Sequence, residues 1–252
     1  MKKAALSILL VFVSLFSALA QQDESSNQTD SQGLKQGHWV IKAGEAISEG
    51  NYVDNMKDGM WLTHIAESGL LINIENYKKD KKDGVFIQIS KQGYLVSEQY
   101  FKNNIPDGPH RQYGQGGFQI SENNYLDGKY HGMQITYYEN SKKKSEESGY
   151  NAGIKDGPSK WYNMEGKLLA EYNYVKGQLQ GEQKSFYSGD KLRTSEFYKD
   201  NQNEGPSLEY YENGKVKTSG QYKAGLKDGK WIDYDENGAI VKTTVFVNGK
   251  EK

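Results

Sequence analysis

The sequence contains no cysteine among its 252 residues. No disulfide can staple the fold, and no cysteine follows the N-terminal apolar segment to carry a lipoprotein anchor. Charge of one sign is also missing. The 32 basic residues stand against 33 acidic ones, and removing Lys2 and Lys3 leaves 30 against 33, a net charge of −3. That balance argues against nucleic acid or anionic lipid as the main partner. Apolar residues are scarce at 35 %, low for a globular domain. After residue 20 no run is long and apolar enough to cross a membrane. Nor does any stretch there sustain a 3.6-residue apolar period, which excludes an all-helical reading.

The first twenty residues read differently. Lys2 and Lys3, the apolar run Ala4 to Leu19 and the small residues around Ala18-Leu19-Ala20 form the pattern of a cleaved signal peptide. Gln21 is the expected first mature residue, in the periplasm or outside the cell. Residues 21–34 are almost wholly polar and read as a disordered tail. Asn27-Gln28-Thr29 within it forms a glycosylation sequon.

What the chain has in abundance is periodic glycine. Gly37, Gly59, Gly84, Gly108, Gly132, Gly157, Gly181, Gly205 and Gly229 follow at steps of 22, 25, 24, 24, 25, 24, 24 and 24 residues. Nine such units imply an array built by tandem duplication. Positions are counted below from each of these glycines, and the units are numbered 1 to 9 from Gly37 to Gly229. Position +5 holds Tyr113, Tyr137, Tyr162, Phe186, Tyr210 and Tyr234. Position +17 holds Phe101, Tyr125, Tyr174, Tyr198, Tyr222 and Phe246, with Tyr77 and Tyr150 one residue later. Position +11 holds Leu95, Leu168, Leu192, Val216 and Ile240. Parity alone puts +11 and +17 on one face of a strand.

A mid-unit turn carries Gly69, Gly93, Gly117, Gly166, Gly189, Gly214 and Gly238. Its Asn-Gly form, as at Asn237-Gly238, predicts positive φ at both central residues. A closing turn carries Gly128, Gly153, Gly177, Gly225 and Gly249, with Asp80, Asn104 and Asn201 in the same place. Asn and Asp best replace glycine at positive φ, so the pattern reports backbone geometry. Each unit is therefore a β-hairpin, and consecutive hairpins predict one elongated antiparallel meander over residues 35–252, curved by glycines and bulges. Unit 1 departs from the pattern between Lys42 and Ser48, as a terminal cap does.

The segments KDGKWIDYDENG, KDGPSKWYNMEG and EGPSLEYYENG resemble the MORN repeat, and more closely its bacterial variant. The resemblance runs from about Lys35 to Lys250 and implies a β-hairpin repeat array; no enzyme is expected, because a one-layer meander offers few deep pockets. Its relatives serve as membrane-associated scaffolds, protein-binding platforms and accessory arrays on enzymes. The bacterial variant is associated with toxin–antitoxin modules, for which a secreted immunity protein is the version compatible with a signal peptide.

Other constellations carry little chemistry. Asp233, Asp235, Asn237 and Gly238 open a calcium-loop pattern, but Thr244 stands where its bidentate Glu belongs. His38, His64, His110 and His131 lie at different phases, so the array does not gather them into a zinc site. Lys142-Lys143-Lys144 is balanced by Glu146 and Glu147. No phosphate-loop, nucleophile-elbow or zinc-protease signature is present. No cofactor is expected. The +5 row Tyr113, Tyr137, Tyr162, Phe186, Tyr210 and Tyr234 is expected to pack mainly as a continuous stack, and it doubles as the candidate binding face. The function read from these features is an exported binding or scaffold protein of the cell envelope, with a protein as its expected partner. The alternatives are a polysaccharide-binding module using the Tyr ladder and an immunity-type inhibitor of a toxin.

Overall fold

A computed structural model describes residues 26–188 and 190–252. Residues 1–25, on which the expected signal peptide falls, and Gly189 lie outside the described residues. Every strand joins one open antiparallel sheet whose neighbours follow chain order, so the predicted meander is observed. The one helical element among the described residues is a 3-10 turn at Gln115–Gly117.

The closing turns explain the meander's regularity. At nine connections both central residues have positive φ, from Asp54-Asn55 through Asp200-Asn201 to Asn248-Gly249. This is the mirror-image turn whose twist matches the flanking strands. Asn and Asp do more there than tolerate the conformation. The Asp80, Asn104 and Asn201 side chains accept the amides of Lys57, Lys82 and Leu179 at 2.6, 2.7 and 2.7 Å. Each substitution of glycine thus adds a bond between the end of a unit and its beginning.

The mid-unit turn differs from the expectation. Gly238 has φ 92°, but Asn237 is absent from the residues of positive φ. The Gly238 amide donates to the Asp235 carbonyl, and the Asp235 carboxylate accepts from the Asn237 and Ala239 amides. The turn is a type I turn closed by a left-handed glycine. These bonds also use the carboxylate that the calcium pattern would have needed. The turn carries a register shift with it: Asp233 faces Lys242, while Tyr234 faces Ile240, so Val241 bulges. The bulge reverses parity along the second strand. Consequently +11 and +17 lie on opposite faces, not on one face as parity predicted. Position +11 joins +5, and +17 joins +2.

A second irregularity sits at each unit's first glycine, where φ is positive in all nine. In unit 9, Ser219 faces Ile232 and Gln221 faces Asp228, so Gly229, Lys230 and Trp231 oppose Gly220 alone. The extra residues fold the Trp231 ring back over Gly220, and Trp61 does the same over Gly50 in unit 2.

Unit 1 has no bulge: Gly37↔Tyr52 to Ala43↔Ala46 run in unbroken register around a two-residue loop. This shorter connection accounts for its shorter step. The disordered tail expected over 21–34 is corrected for residues 26–34. Gln28–Thr29 pairs with Lys35–Ala43, Asp30 caps the turn through the Gln32 and Leu34 amides, and Trp39 Nε1 donates to the Gln28 carbonyl. Polar composition did not prevent order, because an open sheet edge supplied backbone partners. Asn27 of the sequon accepts the Val40 amide through its side chain.

Candidate functional site

The sheet is one layer, and its two faces are built differently. The first face carries +2 and +17 and holds the buried aromatics Tyr52, Trp61, Phe86 and Trp231. Edge-to-face contacts link Trp39, Tyr52 and Trp61 at 5.7 and 5.0 Å, then Tyr77, Phe86 and Phe101 at 5.3 and 5.2 Å. Lysines at position −2 cover these rings: Lys35, Lys57, Lys82, Lys155 and Lys227 each place Nζ over two of them at 4.2–5.5 Å. The lysine stems shield apolar surface while the ammonium groups meet ring faces.

Position +2 is the structural centre of the unit, and it was missed in the sequence. In units 2, 5, 7 and 9 its side chain donates a hydrogen bond across the glycine bulge. Trp61 Nε1 and Trp231 Nε1 donate to the Asn51 and Gln221 carbonyls, both at 3.2 Å. Gln134 Nε2 and Gln183 Nε2 donate to the Asn124 and Asn173 carbonyls at 3.0 and 3.4 Å. In these four units Trp and Gln are interchangeable because either supplies an N–H at the right reach. The recurrence of Trp39, Trp61 and Trp231 at +2 was the available signal; Gln134, Ser159, Gln183 and Ser207 concealed it by their polarity.

The second face carries the candidate residues. Tyr113, Tyr137, Tyr162, Phe186, Tyr210 and Tyr234 each end a first strand at the mid-unit bulge. They face Gln119, Lys144, Leu168, Leu192, Val216 and Ile240. All six are half-buried. Among the described residues no ring contact joins any two of them, so the continuous stack expected for this row is not formed; ring contacts lie instead on the first face, in separate groups. Two strands separate successive +5 rings, roughly 10 Å at ordinary strand spacing, too far for direct packing.

A charged row runs beside these rings, two residues earlier on the same strands. Arg111 bridges Glu98 and Glu122 at 3.0 and 3.3 Å, and Lys160 pairs with Glu171 at 3.3 Å. The Tyr162 hydroxyl donates to Glu147 at 2.5 Å. Burial and the Glu147 bond push the Tyr162 phenol well above its ordinary range. For Glu147, burial works upward, but bonds from Lys144 and Tyr162 outweigh it and hold the carboxyl below its usual value. Lys144 is thus neutralised within its own unit, as the balanced triplet implied. Burial also raises the Tyr113 and Tyr137 phenols. These tyrosines stand as phenols among paired charges; all three offer apolar area, and the Tyr162 hydroxyl donor is already engaged by Glu147.

A separate set of tyrosines ties unit to unit. The hydroxyls of Tyr138, Tyr187 and Tyr211 donate to the carbonyls of Tyr162, Tyr210 and Tyr234 at 2.5, 2.7 and 2.7 Å. Each bond anchors the backbone of a +5 residue from the preceding unit.

The histidines remain scattered, and among the described residues no group of three or more His, Asp or Glu could hold a metal ion. His110 is half-buried, its buried Nε2 has no hydrogen-bond partner among the described residues, and burial lowers its affinity for a proton. No helix among the described residues is long and apolar enough to cross a membrane.

No curated protein matches the chain. The MORN repeat variant matches residues 155–176, 179–200, 203–224 and 227–248. Each matched window opens on position −2 and covers the hairpin of one unit, so the match falls on units 6 to 9. Units 1 to 5 lie outside it but share the positive-φ glycine and the mirror-image closing turn. MORN repeats in general are non-enzymatic binding repeats, and four of the nine hairpins of this array are similar in sequence to the MORN repeat variant, which suggests a repeat-based binding or scaffold protein.

Proposed function

We propose that this chain is an exported, non-enzymatic binding or scaffold protein of the cell envelope that engages a protein partner through the second face. The observation that carries the reading is the spacing of the +5 rings. They recur once per unit from unit 4 to unit 9, half-buried, without ring partners among the described residues and without a second layer over them. The first face already satisfies the packing need, which leaves these rings free to make contacts. Export rests on the N-terminal pattern of residues 1–20.

The test is retention from envelope extract by immobilised protein, comparing wild type with Tyr210→Ser and Tyr137→Ser. A half-covered tyrosine costs about 1–3 kcal/mol when truncated, so urea unfolding of each variant identifies conditions in which both remain folded. The expected result is a retained protein that the variants fail to hold. Equal retention by folded variants and wild type removes the second face from the reading. Recovery of the intact Met1 terminus from soluble cytoplasm removes export.

A polysaccharide ligand is the second reading, and the even placement of equivalent rings favours it: a repetitive ligand meets repeated sites. Recovery of glycan in place of protein in the same experiment would select it. An immunity-type inhibitor needs one singular patch, to which this periodic face is poorly suited.

A further inference from the structure

The first face contains a cavity of about 60 Å³ in unit 7, lined by Tyr172, Leu179, Gln183, Thr194, Glu196 and Tyr198. Six of the other units show how this place is filled elsewhere in the array. In units 1, 2, 3 and 9 an aromatic ring at +2 fills the space and a −2 lysine covers it. In unit 6 Trp161 and Lys155 do so. In unit 5, where +2 is Gln134, the −2 residue Tyr130 packs between Tyr125 and Tyr150 at 5.0 and 5.4 Å. Unit 7 has neither solution. Gln183 is drawn down onto the Asn173 backbone by its own hydrogen bonds, and Leu179 supplies no ammonium.

The walls that remain suit a cation. Two phenol rings, Tyr172 and Tyr198, border the space. The Glu196 carboxylate lines it and, among the described residues, accepts only from the Tyr198 hydroxyl, at 3.2 Å. Glu196 makes no ion pair among the described residues. A cavity of this size holds about two water-sized groups, enough for an ammonium and its adjoining methylene. A guanidinium or a trimethylammonium is larger.

We propose that this cavity receives the ε-ammonium of a lysine from a partner protein, seated against Tyr172 and Tyr198 with Glu196 as its counter-charge. The partner's lysine takes the role that Lys57 or Lys227 plays within its own unit. The site lies on the face opposite the +5 rings and does not depend on their function.

The experiment is an NMR titration of the purified protein with the peptide acetyl-Gly-Lys-Gly-amide and with its norleucine counterpart. The expected result is saturable shifts at the amides of Gln183, Thr194 and Glu196, with the lysine peptide binding about tenfold more tightly than the norleucine peptide. Leu179→Lys restores the internal lysine of the other units and should abolish the shifts while the fold persists. Glu196→Gln should weaken binding by about tenfold. Tyr210→Ser, on the other face, should leave it unchanged. Equal binding of the norleucine peptide, shifts that survive Leu179→Lys or Glu196→Gln, or no localised shifts at all would overturn the proposal.

Discussion

Gly220 lies against the indole of Trp231, as Gly50 lies against that of Trp61, and in both pairs a methyl group on the glycine would fall within the ring system. Neither glycine has positive φ, so only space forbids a side chain there. Trp231 is 7 % exposed in a sheet one layer thick, which is possible because the bulge folds it onto bare backbone. Gly220→Ala should therefore destabilise the protein by about 1–3 kcal/mol through overpacking. Trp231→Ala should cost about 3–5 kcal/mol. Trp231→Gln, which copies units 5 and 7, should cost about 1 kcal/mol less than alanine, because the amide can still reach the Gln221 carbonyl. Urea unfolding of the three variants checks this order, and equal losses for Gln and Ala would refute the bulge-bridging role of +2.

The Tyr187 and Tyr211 hydroxyls each bond a carbonyl of the next unit. Tyr187→Phe and Tyr211→Phe retain the ring and remove only that donor. Each should lower stability by about 0.5–1.5 kcal/mol. Since neighbouring units share stability in an array, hydrogen exchange should accelerate most around Tyr210 and Tyr234. Exchange that rises uniformly along the chain would show that these bonds do not set the local coupling.

Alkaline pH should weaken the fold. Burial, aided by Glu75, pushes the Tyr77 phenol up to about 12, and burial with the Tyr130 bond does the same for Tyr125. Tyrosines of the unfolded chain ionise near pH 10. Above that value the folded chain holds more protons than the unfolded one, so stability falls with rising pH. It is unaffected by these groups below about pH 9. Phenolate absorbance of native protein should lag that of urea-unfolded protein through this window; coincident curves would contradict the burial of the +17 row.

Nine hairpins paired in chain order should make an elongated particle. A compact domain of about 230 residues has a radius of gyration of roughly 17 Å. Solution scattering of monomeric protein should give a clearly larger value, and a value near the compact figure would mean that the sheet closes on itself.

Much of the fold was legible because turn chemistry is local. A glycine, or an Asn or Asp in its place, marks positive φ wherever it recurs, and Asp80, Asn104 and Asn201 stood in the turns for which their spacing argued. The six +5 residues were also found at one equivalent place in units 4 to 9, at the end of the first strand. What parity could not show was the face on which each position lies. One bulged residue between +11 and +17 exchanges the two sides of the strand, and no composition signal marks it.

The sequence by itself determined the array: its period, its hairpins and its closing turns, all of which depend on residues a few positions apart. Tertiary structure alone decided which aromatics form the core. Trp61 and Gln183 play one part because each reaches a carbonyl across a bulge, and that distance exists only once adjacent strands have paired. The same pairing put the ring contacts on one face and left Tyr113, Tyr137, Tyr162, Phe186, Tyr210 and Tyr234 on the other, because a register shift of one residue is enough to turn a side chain through the sheet.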